Sequence, residues 1–127
     1  MEPSLLVLWP SDEALSEANT RSHLADGRVV GWYGDPGHVI DAELADQPVP
    51  PALAARYGAE DFWGRWTRTE CAAKAADLPI ALWLREHGLD AGIGETHQLD
   101  GVTVSVARTP CSRSTSGPRP GAARTRR

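Results

Sequence analysis

The chain has only two cysteines in 127 residues, Cys71 in a helical stretch and Cys111 in a polar tail. Two such residues make neither a disulfide framework nor a zinc site. No apolar run approaches the roughly 18 residues of a spanning helix, and Met1-Glu2-Pro3 lacks the basic start of a secretory signal. No membrane partner is expected, and the expected compartment is the cytoplasm. Internal repeats are absent as well. Acids are missing from residues 108–127, which hold six Arg, whereas the other 107 residues carry 7 basic and 17 acidic side chains. An acidic body does not suit a duplex surface, so no nucleic-acid partner is expected. A body of that charge is compatible with recruiting cations.

The length is one domain's worth of chain, and 41% apolar residues with five Trp argue for a folded body. The expected domain is residues 1–108. Residues 109–127, rich in Ser, Pro, Gly, Thr and Arg, are expected to be disordered.

Leu5-Leu6-Val7-Leu8-Trp9, closed by Pro10, predicts a strand. Ser11 suits an N-cap with Asp12 and Glu13 in the first turn, so Ala14–Leu24 is expected to be helical. Asp26-Gly27 and Gly34-Asp35-Pro36-Gly37 are turn signals. The stretches after them, Arg28–Tyr33 and His38–Glu43, predict two strands joined as a β-hairpin. Leu53–Tyr57 predicts a helical turn ended at Gly58. A central helix is expected from about Asp61 to Asp77 or Leu78, ahead of Pro79. Ile80–His87 predicts a further short helix closed by Gly88. Gly101–Ala107 alternates Val with small polar residues and predicts a half-buried strand. The fold class is therefore α+β, with a small antiparallel sheet packed on the Trp-rich central helix.

On that helix Trp63, Trp66, Glu70 and Lys74 fall near one stripe at 3.6-residue periodicity. The indoles are expected in the core. Glu70 then needs a partner, because a buried unpaired carboxylate costs several kcal/mol. The simple partner is Lys74, four residues on, as an ordinary helix ion pair. The alternative is a divalent cation, leaving Lys74 for an anionic ligand. Asp41 and Glu43, two apart on a strand, share one face. Solvated there, they are ordinary surface acids; turned toward the helix, they join Glu70 as an oxygen-rich cation site. Mg²⁺ takes a few carboxylates plus substrate phosphate oxygens, and a nearby Lys neutralises phosphate charge. Such a kit suits phosphoryl-type displacement, in which positioning and charge neutralisation do most of the catalysis.

Trp66-Thr67-Arg68-Thr69-Glu70-Cys71-Ala72-Ala73-Lys74 resembles the W-x-x-K-E-[AS]-x-x-K signature of the 4′-phosphopantetheinyl transferase superfamily. Val39-Ile40-Asp41-Ala42-Glu43 resembles its G-[VI]-D-[IV]-E strand. Ser22-His23, followed by Gly27–Trp32, resembles its Ser-His-Ser element and the strand after it. The resemblance covers roughly residues 20–107 and is closest to the two-lobed members that serve peptide and polyketide synthases. It implies a 4′-phosphopantetheinyl transferase-like fold and Mg²⁺-dependent transfer of 4′-phosphopantetheine from coenzyme A to a serine of an acyl- or peptidyl-carrier protein. By position, Asp41, Glu43 and Glu70 would bind Mg²⁺ on the pyrophosphate. Glu70 or a metal-held water would help deprotonate the carrier serine. Lys74 would contact the pyrophosphate, and His23 the 3′-phosphate of coenzyme A.

The departures carry a second expectation. Thr69 stands where the family has Lys, Val39 where it has Gly and Leu24 where it has the second Ser. The Asp41-to-Glu70 interval is short, and only 21 residues precede Ser22. A complete cleft then requires a homo-oligomer. The alternative is a truncated, inactive relative that binds coenzyme A or a carrier protein.

Overall fold

The computed structural model of the chain describes residues 4–109. They form a small α+β domain with two three-stranded antiparallel sheets and three α-helices. The expected disordered tail lies, apart from Thr109, outside the described residues.

The first sheet holds β1 (Leu5–Leu8), β2 (Thr20–His23) and β3 (Val29–Trp32) in the order β1-β3-β2. The second holds β4 (His38–Leu44), β5 (Glu95–Leu99) and β6 (Val102–Arg108) in the order β4-β6-β5. Between β4 and β5 come α1 (Pro51–Tyr57), α2 (Phe62–Ala75) and α3 (Ile80–His87). Pro51 starts α1 in its first turn, where a missing N–H costs nothing, and Pro79 caps α3.

The expected β3–β4 hairpin does not form. Residues 33–37 turn the chain, but β4 pairs with β6, from His38↔Arg108 to Leu44↔Val102, while β3 pairs with β1 and β2. β6 offers β4 a seven-residue partner with valines at three positions, a length the four-residue β3 cannot match. The helix expected over Ala14–Leu24 is also replaced. Asp12, not Ser11, accepts the Ala14 N–H to start a short 3₁₀ turn, Glu13–Glu17, and Thr20–His23 becomes strand β2. Only Leu15 of that turn is buried, so there was no apolar stripe to sustain a longer helix.

The apolar core lies between the sheets. Leu5, Leu24 and Val30 of the first meet Ile40, Ala42, Val102, Val104 and Val106 of the second. Burying these side chains contributes roughly 1.5–3 kcal/mol for each large one. β2 runs beside β4, and the Ala42 N–H donates to Ser22 Oγ at 3.1 Å. The other face of the second sheet carries α2. β6 is therefore buried on both faces from Val102 to Ala107 rather than half-buried, and its small polar residues face a helix instead of water.

The tryptophans are not the core stripe of α2. Gly64, Thr67 and Cys71 lie at i, i+3 and i+7 and are buried, whereas Trp63 and Trp66 are only partly buried. The close fit of helix to sheet needs small side chains along that line. The indoles pack at its rim instead, Trp66 stacked on buried Phe62 and Trp63 donating through Nε1 to the Gln47 carbonyl at 3.0 Å. Behind the helix, a side chain at Gly92 would meet the Arg68 carbonyl carbon at 2.6 Å, so glycine lets that loop close on α2.

Candidate functional site

The seam between α2 and the second sheet is polar, and its two flanks differ. Helical geometry aims Arg68 toward β5, Thr67 over β6 and Lys74 toward β4. On the β5 flank, Arg68 Nη1 donates to Thr96 Oγ1 at 2.6 Å. Thr96 Oγ1 meets Ser105 Oγ at 2.8 Å, and Ser105 Oγ meets Thr67 Oγ1 at 2.7 Å. Thr67 Oγ1 donates in turn to the Trp63 carbonyl at 2.9 Å. Followed in one direction, every hydroxyl donates once, and among the described residues no buried polar side-chain atom along that flank lacks a partner.

The β4 flank holds the carboxylates. Asp41 and Glu43 share the α2-facing side of β4. Lys74 Nζ donates to the Ile40 carbonyl at 2.7 Å and to Asp41 Oδ1 at 3.2 Å. Asp41 Oδ2 is buried and has no hydrogen-bond partner among the described residues, in a side chain whose residue is only 8% exposed. Glu43 Oε1 accepts from Gln47 Nε2 at 2.8 Å. The simple Glu70–Lys74 ion pair does not form, because the Lys74 ammonium crosses to Asp41 instead.

Burial sets the protonation of this flank. Loss of solvent pushes the Asp41 carboxyl up from 3.8 to about 7; the Lys74 ammonium opposes that, and the charges of Glu70 and Glu43 add to it. An ammonium at 3.2 Å therefore only partly offsets desolvation, which fits a contact to one oxygen while the other is left bare. Glu70 is raised too, first by burial and then by Glu43, against Lys74. The three acids thus lie within electrostatic reach of one another. Among the described residues, no three His, Cys, Asp or Glu side chains gather in a group that could hold a metal ion by themselves.

The other expected positions lie apart. His23 ends β2 opposite Val29 and is exposed, on the sheet face away from buried Ser22. No hydrogen bond or ion pair among the described residues joins it to the carboxylates or to Lys74. Thr69 is fully buried, its hydroxyl donating to the Arg65 carbonyl at 2.7 Å and lying 3.0 Å from the Leu89 carbonyl. It fastens α2 to the loop after α3. Cys71 is buried against the Ser105 carbonyl with its thiol pushed up to about 12, chiefly by desolvation, which suits a small packing residue rather than a nucleophile.

Sequence reasoning missed Ser105, Thr96 and Gln47. The signal for Ser105 was present: Thr103, Ser105 and Ala107 fall on one face of β6, and that face had to meet a helix whose own line was Gly64, Thr67 and Cys71.

Comparison with protein-family models, curated proteins and solved structures finds no match for this chain. No helix among the described residues is long and apolar enough to cross a membrane.

Proposed function

We propose that this chain transfers 4′-phosphopantetheine from coenzyme A to a serine of an acyl- or peptidyl-carrier protein, with Mg²⁺ on the pyrophosphate. The observation that carries the reading is Asp41 Oδ2, a buried carboxylate oxygen with no partner among the described residues, beside two further acids and a lysine. A bare oxygen in such a place is the feature a hard cation completes. Mg²⁺ is commonly held by one or two carboxylates together with substrate phosphates rather than by an all-protein cage, so this donor set fits it. Asp41 and Glu70 would hold the ion, with Glu43 adding negative charge. When bound, Mg²⁺ supplies charge neutralisation on the pyrophosphate oxygens.

The chain's own groups have the following parts. Lys74 uses two of its three ammonium protons on Ile40 and Asp41, and its side chain is 40% exposed, so the third is free to donate to a phosphate oxygen. Glu70, its proton affinity raised by burial, takes the proton from the carrier serine. The serine oxygen forms a bond to the β-phosphorus of coenzyme A, and the bond from that phosphorus to the bridging oxygen breaks. Adenosine 3′,5′-bisphosphate leaves with the electron pair. Past Gln47, which bonds Glu43, a cleft of about 350 Å³ at the start of α2 is lined by Gln47, Gln98, Thr103, Asp61, Phe62 and Trp63. Its amide, hydroxyl and aromatic groups, with the Asp61 carboxylate at one side, suit the uncharged, amide-bearing pantetheine arm rather than a phosphate.

One observation favours binding without transfer. Thr69 stands where the resemblance implies a second lysine, and its buried, doubly bonded hydroxyl leaves no positive charge there. The test is incubation of the chain with labelled coenzyme A, Mg²⁺ and a panel of apo carrier proteins. Label on the carrier serine, lost in Glu70→Gln, supports transfer. Coenzyme A binding without label on any carrier supports the binding-only reading.

A further inference from the structure

Three large hydrophobic side chains are exposed among the described residues, and two of them belong to or directly follow β1: Leu6, 46% exposed, and Trp9, 58%. β1 is also an outer strand, pairing with β3 alone. The bonding pattern shows which backbone groups it leaves free. Tyr33 N–H donates to the Ser4 carbonyl at 2.7 Å, and Leu6 stands opposite Gly31 and Leu8 opposite Val29. Bonded pairs alternate along an antiparallel ladder. Ser4, Leu6 and Leu8 therefore bond inward to β3, while Leu5 and Val7 present their N–H and C=O groups to the open edge. On the other side of β3, Leu24 N–H donates to the Arg28 carbonyl, which puts the β2 bonds on the alternate residues of β3, as this phase requires.

Natural proteins protect an open edge with charged side chains, bulges or a covering element. This edge has none of the first: Pro3 to Ser11 contains no charged residue. We propose that β1 is the contact between two copies of this chain, paired antiparallel about a two-fold axis to give one six-stranded sheet. Leu5 exchanges both backbone bonds with the partner's Val7, Val7 does so with the partner's Leu5, and Leu6 packs on the partner's Leu6 at the axis.

A second copy is the occupant that the strand's chemistry selects. An uncharged strip lets two chains of net charge −4 meet without like charges opposite each other. A two-fold contact is self-complementary and consumes the β1 edge of both copies, so association through β1 closes at the dimer. Residues 110–127 of the same chain are a poor alternative, since Pro110, Pro118 and Pro120 lack ladder donors and five Arg add charge. The contact does not depend on the chemistry at Asp41.

Sedimentation of the full chain across a dilution series tests the proposal. The expected species has twice the 13.7 kDa chain mass, and Leu6→Lys converts it to a monomer with unchanged far-UV circular dichroism. A second variant does not rely on disruption. Leu6→Cys with Cys111→Ser is expected to form a disulfide-linked dimer on mild oxidation, because non-bonded antiparallel partners bring their Cα atoms to about 4.5 Å. A monomer at every concentration overturns the proposal, and so does a monomer that binds only an added unrelated peptide. A dimer that Leu6→Lys leaves intact, or in which Leu6→Cys does not cross-link, overturns it equally.

Discussion

Helix α2 lies on one sheet but meets it through two unlike polar flanks. On the β5 side, Arg68, Thr96, Ser105 and Thr67 form a chain in which each donor has an acceptor. On the β4 side, Asp41 keeps one oxygen bare, Glu70 is left with its proton affinity raised, and a single ammonium is shared between a carbonyl and a carboxylate. Both flanks are built from polar groups withdrawn from water, yet only the first is complete among the described residues. A satisfied network specifies how the helix sits; an unsatisfied one costs stability and makes physical sense if a ligand completes it. The contrast separates a flank that is satisfied among the described residues from one that is not.

Breaking the β4 flank carries the largest expected effect on function. Asp41→Asn and Glu70→Gln should each lower carrier labelling by about 100-fold or more, the usual scale for removing an acid–base group or a charge-stabilising contact. Labelled coenzyme A assays check this, with circular dichroism to establish that both variants fold. Retained labelling in either one would merge the two flanks into a single structural class.

The β5 flank should respond in the opposite way. Ser105→Ala removes the central hydroxyl and leaves the Thr96 O–H without its acceptor, while Thr67 keeps the Trp63 carbonyl, which should cost about 1–3 kcal/mol of stability. Denaturant unfolding measures that loss, while labelling per folded molecule stays near the parent value.

Protonation sharpens the comparison further. The Asp41 carboxyl ionises near 3.8 in the unfolded chain and near 7 in the folded one, so between those values the folded state holds the extra proton. Its contribution to stability therefore falls as pH rises from about 4 to about 7 and is level above that, by an amount on the order of 4 kcal/mol at most. Urea unfolding of the parent and of Asp41→Asn across this range should show the parent losing ground to the variant as pH rises. Parallel profiles would contradict the burial argument. Removing Arg68 is the mildest change: Arg68→Met leaves Thr96 bonded to Ser105 and should cost about 1 kcal/mol, with no effect on labelling.

Much of the fold was legible in the chain. The Leu5–Trp9 run, the Pro79 and Gly88 boundaries of α3 and the Val alternation of β6 each carry a local signal that the structure keeps. β5 was not legible: Glu95-Thr96-His97-Gln98-Leu99 has one strongly apolar residue, and it exists as an edge strand because β6 offers it a partner. Strand pairing was misread for a related reason. Residues 33–37 look like a hairpin turn, but the partner of β4 lies some sixty residues on, and no local pattern encodes that choice. At the site, the two-apart acids and the Glu70–Lys74 spacing drew attention to the four charged groups that meet along the β4 flank. They could not reveal that Lys74 reaches across to Asp41, since that depends on how closely Gly64, Thr67 and Cys71 let the helix approach the sheet.

The most direct test of the β4 flank as a ligand site is calorimetric titration of the chain with coenzyme A, with and without Mg²⁺. Binding is expected to require Mg²⁺, to be lost in Asp41→Asn and to survive in Ser105→Ala at a temperature where that variant is folded. Binding that ignores Mg²⁺, or that Asp41→Asn leaves unchanged, would contradict a ligand site on that flank.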